Sequence, residues 1–389
     1  MNAPFNPATG TLPWFNHDHE MLRDTIRRFV AERVLPHGDA WEESGFVPRD
    51  VLREMGELGL LGIRFDPRHG GSGLDTLASV VLAEELARST YGGFAITVLV
   101  HTDMAAPHLV HAGTPAQQDR WMPDIAAGRK IAAVAMTEPD AGSDLASMRT
   151  TARREGGHWV LNGAKLYSTN GVHGDIYFVA AKTGEPGRNH QVSMFVVEKG
   201  APGFSVARPL KKQGWLSSDT AELSFQDCRI PAENLLGEEN RGFHALVKNL
   251  QNERIVLGAQ AMGEAAKAIE ITLDWVRNRK AFGGALWDKQ AIRHKLAQRA
   301  AQVAAVQALI YQTAWRDAQG QECAREVSMI KALAGTLVNE VLYDCLQLHG
   351  GMGYMRESPI ERMARDARVQ AIGGGATEVM LEEVAKRLA

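Results

Sequence analysis

The first third of the chain carries apolar side chains near the 3.6-residue period of an α-helix. Four such runs cover residues 21–34, 51–61, 77–87 and 93–112. Pro36 ends the first run, because proline has no N–H with which to continue a helix. The glycine-rich run 70–73 lacks the lysine and the spacing of a phosphate-binding loop, so we interpret it as a turn. The pattern predicts an N-terminal α-helical domain over residues 1–130.

Between about Ile131 and Gly237 apolar positions alternate with polar ones, which is typical of β-strands. Short strands are predicted over residues 133–135, 158–161, 165–169, 176–181, 192–197, 204–206 and 221–225. Gly, Asn and Pro residues separate these strands at short intervals. A run of strands between two helical regions predicts a compact antiparallel β-domain over residues 131–240.

Helical spacing returns at Gly242 and continues to the end of the chain. Breaks fall near residues 282–285, 319–321 and 350–353. Long helices with short connections predict an up-and-down four-helix bundle over residues 241–389. The expected fold class is therefore α+β and multidomain, with an N-terminal helical domain, a middle antiparallel β-domain and a C-terminal four-helix bundle.

Composition narrows the range of functions. The chain has 389 residues, enough for a large core and two or three domains, and a formal net charge of −3. It has no basic stripe of the kind that binds nucleic acid, and no apolar run approaches the length of a membrane span. We therefore expect neither a nucleic-acid partner nor a membrane span.

Cysteines, histidines and the start of the chain bear on compartment and metal content. Cys228, Cys323 and Cys345 lie far apart and form no C-x-x-C pair, which favours a reducing, cytoplasmic setting. Residues 1–15 show the pattern of neither a secretory signal nor a transit peptide. The thirteen histidines include no H-E-x-x-H pairing with carboxylates, so we expect no metal site.

Two polar stretches that accompany predicted strands are candidates for binding a polar heterocycle. In the first, residues 133–144, Thr137 and Ser143 offer hydroxyls, and Gly142 allows the backbone to approach a flat ligand closely. The second, residues 165–171, carries Asn-Gly turn chemistry. An ordinary capped turn accounts for the first loop about equally well.

A carboxylate interrupts the apolar face of the helix that begins near residue 242. Steps of three and four residues place five side chains on that face, namely Phe243, Leu246, Leu250, Glu253 and Leu257. Burial raises the pKa of an unpaired glutamate, a state suited to a general base. A structural ion pair with Arg254 or with a cation from another helix is the alternative. Glu264 falls on nearly the same face, so periodicity does not separate the two glutamates.

Together, the stretches 133–144 and 165–171 resemble the flavin-binding strands of the acyl-CoA dehydrogenase family, and similarity to that family extends from about residue 18 to residue 388. The resemblance implies FAD as the cofactor. It implies flavin contacts by Met136, Thr137, Gly142, Ser143, Tyr167 and Thr169. Tyr167 stands where tryptophan is usual, but it keeps a planar face for stacking.

The resemblance implies that the catalytic base stands at a different position in the sequence from that in most of the family. Most members carry it near the C-terminus in a Tyr-Glu-Gly-Thr pattern, but Gly374 stands at that position here. The isovaleryl-CoA and long-chain branches carry it in a Glu-Arg pair on the first bundle helix, which Glu253 and Arg254 match. The resemblance therefore implies Glu253 as the base and the Gly374 N–H as a donor to the thioester oxygen. It also implies substrate contacts by Ser143, Arg254 and Gly373.

Further cofactor positions follow from the same resemblance. Six residues match those that hold the FAD of a neighbouring subunit, namely Arg279, Phe282, Gln290, Gln347, Gly350 and Gly351. A glycine-capped helix end accounts for residues 347–353 as well, and both interpretations are compatible. Thr377 and Glu378 match the flavin-contacting loop, in which Ala376 replaces a usual threonine. Cofactor sharing implies a homo-oligomer, usually a tetramer in this family.

The resemblance implies a reaction in which Glu253 removes a proton next to the thioester carbonyl and the neighbouring carbon loses a hydride. The product is a trans-2-enoyl-CoA, and an electron-transfer flavoprotein is the expected acceptor. The glycine run 373–375 removes bulk beside the reacting carbons, so we expect a branched or medium- to long-chain acyl-CoA. The alternatives are a flavin-dependent oxidase or monooxygenase of the same fold, a dehydrogenase of a carrier-protein-bound thioester, and a non-catalytic scaffold that binds flavin or CoA.

Overall fold

The computed structural model describes residues 13–184 and 191–388, and residues 243–245, 247 and 248 are described by their backbone alone. Most of the segment 1–15, for which the sequence predicted no targeting function, lies outside the described residues, as does the side chain of Phe243. Across the described part of the chain, no helix is both long enough and apolar enough to cross a membrane.

Between residues 13 and 130, the described part of the N-terminal domain, the chain forms seven α-helices, two π-helical turns and the 3₁₀ turn Pro67–His69. The α-helices are α1 His17–Phe29, α2 Gly38–Ser44, α3 Arg49–Glu57, α4 Thr76–Ala87, α5 Gly92–Leu99, α6 Ala106–Ala112 and α7 Pro115–Ala126, and the π-helical turns are Val30–Val34 and Val100–Ala105. Every residue of α4 is buried, as expected for a helix that is apolar on nearly all sides. The glycine run 70–73 is a turn, as predicted.

The prediction of a single α-helix over residues 93–112 is wrong for the middle of that range. The π-helical turn Val100–Ala105, hereafter the π-helix, separates α5 from α6. Pro107 has no N–H to donate to the carbonyl four residues earlier, that of Asp103, so the α-helical ladder is broken there. The carbonyl of Asp103 is thereby free to bond a side chain from another helix.

Eight strands form one sheet in the middle domain. They are β1 Ala132–Ala135, β2 Thr151–Glu155, β3 His158–Thr169, β4 Ile176–Lys182, β5 Val192–Glu198, β6 Phe204–Pro209, β7 Thr220–Pro231 and β8 Leu235–Leu236. The strand order is β6-β7-β3-β2-β4-β5-β8, and β1 pairs with β4. The sheet is antiparallel except that β1 and β2 both run parallel to β4, with Ala132 opposite Ile176 and Thr151 opposite Lys182.

Two strand predictions need correction. The separate strands predicted over 158–161 and 165–169 are one strand, β3, which continues through a register shift at Gly163. Gly163 has a φ of +146°, and a Cβ there would lie 2.5 Å from Thr150 Oγ1, so only glycine fits. β2 was not predicted, because three of its five residues are exposed and it lacks an apolar alternation.

Three long helices dominate the C-terminal domain. Its elements are α8 Gly242–Asn278, the hairpin β9 Lys280–Ala281 and β10 Gly284–Ala285, α9 Gln290–Ala318, α10 Ala324–His349, α11 Pro359–Ala367 and α12 Thr377–Ala385. The breaks predicted from the sequence coincide with the ends of α8, α9 and α10. Together the domains confirm the predicted order of helical, β and helical regions.

The helix α8 lies at the centre of the molecule. An apolar core runs through both helical domains and includes Val80 of α4, Met262 of α8 and Ile330 of α10. A second core joins the sheet to α6 and α7 and includes Leu246, near the start of α8. Because α8 belongs to both cores, packing on two sides fixes its position relative to the sheet.

Glu264 of α8 couples stability to pH. It is buried beside Asp366, and its carboxylate accepts a hydrogen bond of 3.0 Å from Gln260 Nε2. Burial, with the Asp366 charge adding to it, raises the pKa of Glu264 from 4.5 to about 8. Between these two pKa values the folded state holds a proton that the unfolded chain has lost. The stability that this proton contributes is fully present below about pH 4.5 and is lost as the pH rises towards 8.

We expect Glu264→Gln to flatten the decline in stability between pH 5 and pH 8, because glutamine has no proton to lose. At pH 8 the variant should gain roughly 3 kcal/mol relative to the native chain, compared with pH 5. Thermal unfolding across this range measures the effect. Glu382→Gln removes an exposed carboxylate on α12 and is the control. Equal slopes for Glu264→Gln and the native chain would contradict the prediction.

Candidate active site

A buried ion pair joins the two polar stretches. Lys165 Nζ donates to Glu138 Oε1 at 2.7 Å and to the Met136 carbonyl at 3.0 Å. Both side chains are buried. Glu138 also accepts hydrogen bonds from the backbone N–H groups of Arg149 and Thr150. Burial alone would raise the pKa of Glu138, but these partners outweigh it and hold the pKa below its usual value.

Sequence reasoning missed this pair. A signal was present for Lys165, which lies inside a predicted strand, next to apolar Leu166, where an unpaired charge is costly. No local pattern identifies Glu138 as its partner, because 27 residues separate the two.

The structure brings Tyr167 beside the first loop and turns it outward. Leu166 N donates to the Thr137 carbonyl at 2.8 Å, which places the two stretches edge to edge. The pairing of β3 with β7 shifts between Lys165 and Ser168, and Tyr167 takes a φ of +60° inside this bulge. Its side chain is 66% exposed. A strained, exposed aromatic at this position is available to stack on a planar ligand.

The other residues predicted to contact the flavin are half-buried or exposed. Met136 is half-buried against the core that also contains Leu246 of α8. Gly142 and Ser143 are exposed, and a Cβ at Gly142 would meet nothing within 4 Å. Thr169 is half-buried, two residues beyond Tyr167. This open surface fits the approach of a flat cofactor.

Glu253 is a buried carboxylate on α8, seven residues after Leu246. It is only 4% exposed, and its Oε1 accepts a hydrogen bond of 3.1 Å from Asn249 Nδ2. Burial raises its pKa to about 7, and the Arg254 charge and the Asn249 bond only partly oppose that shift. Among the described side chains no cation forms an ion pair with Glu253, which argues against the purely structural interpretation.

Gly374 lies against the same face of α8. A Cβ at Gly374 would lie 2.3 Å from Leu257 Cδ1, and Leu257 is one helical turn after Glu253. The φ of Gly374 is +68°, in the left-handed region. A side chain at 374 would therefore need Leu257 to move and would strain the backbone, and Gly374 packs against the residue one turn from Glu253.

A buried lysine that sequence reasoning missed holds this glycine loop. Lys331 Nζ, on α10, donates to the carbonyls of Gln370 at 2.6 Å and Gly375 at 3.1 Å. Burial, with the neighbouring Arg254 charge adding to it, lowers the pKa of Lys331 to about 8. The available signal was a lysine among the apolar positions of α10, the same anomaly that identified Glu253.

The other loop positions are less enclosed. Gly373 is half-buried. Thr377 Oγ1 donates weakly to the Ala371 carbonyl at 3.4 Å, and Glu378 is exposed in the first turn of α12. Arg254 Nε is buried without a hydrogen-bond partner among the described residues, near Gly375.

A second group of predicted residues lies far from Glu253. Arg279, Phe282, Gln290, Gln347, Gly350 and Gly351 are all exposed. Trp275 joins two parts of this group, because the Arg279 guanidinium lies 5.6 Å from its ring and its Nε1 donates to the Leu348 carbonyl. Phe282 is 93% exposed. Arg279 follows Glu253 by 26 residues along α8, or about 39 Å at the rise of an α-helix.

Within the described residues, no group of three or more histidine, cysteine or acidic side chains is placed to hold a metal ion.

Comparison with known proteins places this arrangement in a family. Models of the N-terminal, middle and C-terminal domains of acyl-CoA dehydrogenases match residues 16–129, 133–228 and 240–389. The mitochondrial long-chain specific acyl-CoA dehydrogenase of Mus musculus is 41% identical over 376 residues, covering 96% of this chain and 87% of that protein. The mitochondrial isovaleryl-CoA dehydrogenase of Pongo abelii is 33% identical, covering 96% and 89%.

A solved structure agrees in fold along nearly the whole chain. The crystal structure of a probable acyl-CoA dehydrogenase from Mycobacterium abscessus is 40% identical, with a TM-score of 0.94, covering 97% of this chain and all of that one. The chain therefore belongs to the acyl-CoA dehydrogenase family, whose members are FAD-dependent oxidoreductases that act on CH–CH bonds.

Proposed function

We propose that this chain dehydrogenates a branched or medium- to long-chain acyl-CoA to the trans-2-enoyl-CoA, with Glu253 as the base. The observation that carries the proposal is a buried carboxylate that forms no ion pair among the described side chains and lies one turn from Leu257, against which Gly374 packs. A base with a pKa near 7 is ionised in about half of the molecules at neutral pH, which suits proton removal.

Backbone groups complete the proposed site. The thioester oxygen gains negative charge as the proton leaves, and the Gly374 N–H is the proposed donor to it. Lys331 fixes the loop on both sides of Gly374 through the carbonyls of Gln370 and Gly375. A donor held rigidly in this way typically contributes a few kcal/mol to the transition state.

The fit to FAD rests on chain features already described. Tyr167 offers an exposed ring, Thr137 a half-buried hydroxyl and Gly142 an unobstructed backbone. When bound, FAD supplies an acceptor for the hydride lost from the β-carbon. The role of the protein is to place that carbon beside the ring, to orient Glu253 towards the α-proton and to exclude water.

A homo-oligomer, most simply a tetramer, is part of the proposal. Glu253, where the flavin ring of one FAD is expected, and Arg279 lie about 39 Å apart along α8, too far for one FAD to reach both within a single chain. The exposed ring of Phe282 and the exposed Gly350–Gly351 backbone are then covered by the cofactor of a second copy. We propose an electron-transfer flavoprotein as the electron acceptor.

Anaerobic bleaching of the purified yellow protein tests the proposed substrate class. We expect isovaleryl-CoA or the acyl-CoAs of eight or more carbons to bleach the flavin faster than butyryl-CoA, because the 373–375 loop leaves more room beside the reacting carbons. A profile that peaks at butyryl-CoA would contradict this preference. Rapid reoxidation of the reduced protein by air would favour an oxidase instead.

A further inference from the structure

We propose that Asn249 is a positioning residue of this reaction, which holds the Glu253 carboxylate in place through a bond to the π-helix. The inference rests on the proposed function, because it assigns Asn249 a role only if Glu253 is the base. It concerns a residue that no sequence pattern singled out.

The amide of Asn249 is fixed between two acceptors. Its Nδ2 donates to the Met104 carbonyl of the π-helix at 2.9 Å and to Glu253 Oε1 at 3.1 Å. A side-chain amide nitrogen has two hydrogens, so both are used. Rotating the amide by 180° would place its oxygen against two acceptors. The Met104 carbonyl therefore forces Asn249 to present a donor to the carboxylate.

The arrangement leaves a polar atom unsatisfied. Asn249 is 1% exposed, and its Oδ1 has no hydrogen-bond partner among the described residues. A buried orphan oxygen costs stability, and a leucine of similar size would avoid that cost. An asparagine at such a position is better explained by the hydrogen bonds that its N–H groups donate to the Met104 carbonyl and Glu253 than by packing.

A neighbouring asparagine anchors the same two elements without contacting the base. Asn252 Nδ2 donates to the Asp103 carbonyl of the π-helix at 2.8 Å, and Asn252 Oδ1 accepts from Arg64. It makes no hydrogen bond to Glu253 in the described part of the chain. A variant of Asn252 therefore tests the anchoring of α8 to the π-helix without changing the hydrogen bond to the Glu253 carboxylate.

Charged groups on α8 and on the neighbouring elements lie near the base, and each of them differs from Asn249 in its contacts. They are Arg254 on α8, Asp103 in the π-helix, Arg64 beside Asn252, and Lys331 on α10. Arg254 and the Asn249 bond both favour the ionised form of Glu253, against its burial. Asp103 is bonded by Ser79 and Thr102, and Lys331 by two carbonyls.

The test is the pH dependence of kcat/KM in the FAD-loaded enzyme, measured with lauroyl-CoA and isovaleryl-CoA. We expect Asn249→Leu to move the midpoint of the acidic limb up by about one pH unit, because the ionised base loses its donor. Asn249→Asp keeps the shape but faces the base with an acceptor, so its midpoint should rise further. Asn252→Leu should leave the midpoint unchanged. An unchanged midpoint in both Asn249 variants overturns the inference.

A second measurement does not depend on turnover. Isotope-edited infrared titration of protein labelled with ¹³C-glutamate, with Glu253→Gln subtracted, follows the protonation of Glu253 directly. The same upward shift is expected in Asn249→Leu. Turnover retained by Glu253→Gln would instead refute the proposed base. A slow Glu253→Gln variant with native titration in the Asn249 variants refutes only the role of Asn249.

Discussion

Glu253→Gln is expected to keep its fold and its FAD but to bleach at least about a hundredfold more slowly with acyl-CoA under anaerobic conditions. Glutamine has nearly the same size and accepts the Asn249 hydrogen bond, so packing in α8 is retained. Its amide cannot remove a proton. Stopped-flow absorbance of the flavin measures the rate of bleaching.

A matched control lies on the same helix. Glu264 is also buried on α8 with a raised pKa, but it contacts Gln260 and lies eleven residues, about 16 Å, further along the helix. Glu264→Gln should therefore bleach at close to the native rate. Glu253→Gln that bleaches within a factor of ten of the native enzyme, or equal losses in both variants, would remove Glu253 from its proposed role.

Lys165→Met is expected to lower the free energy of unfolding by about 4 kcal/mol and to weaken retention of FAD. The substitution leaves the buried Glu138 carboxylate without its cation and frees the Met136 carbonyl. Both groups belong to the loop proposed to hold the flavin ring. Urea unfolding and the ratio of bound FAD to protein measure the two effects.

Two further variants distinguish the stability contributed by the buried Lys165–Glu138 pair from that of neighbouring charges. Arg149→Met breaks an exposed ion pair with Asp140 on the same loop but keeps the backbone N–H that bonds Glu138, so we expect a loss below about 1 kcal/mol. Adding Glu138→Gln to Lys165→Met removes the uncompensated charge and should recover part of the stability. A Lys165→Met variant as stable as Arg149→Met would show that the pair does not hold the loops together.

Position 374 and the proposed base share one neighbour. The tip of the Leu257 side chain occupies the space that a Cβ at Gly374 would need, and Leu257 lies one turn from Glu253 on α8. A glutamate at 374 would need Leu257 to move and the backbone to leave the left-handed region. The observed packing therefore favours a base on α8 over a base at 374, in agreement with the proposed role of Glu253.

The sequence by itself determined the order of the three regions and narrowed the anomalous carboxylate to two candidates on one helix. Apolar periods of 3.6 and 2 are properties of neighbouring residues, so they predicted the helix breaks after α8, α9 and α10 and most strands. The same periodicity placed Glu253 on an apolar face. It did not separate Glu253 from Glu264, because both share that face.

Only the tertiary structure decided how that carboxylate is surrounded. Three bonds surround Glu253, the glycine loop and the two polar stretches, and they join residues 145, 44 and 27 positions apart: Asn249 with Met104, Lys331 with Gly375, and Lys165 with Glu138. The parallel pairing of β1 with β4 depends on such distant contacts too. Local patterns record which side chains are buried, whereas the partner of a buried polar group is set by the packing of distant segments.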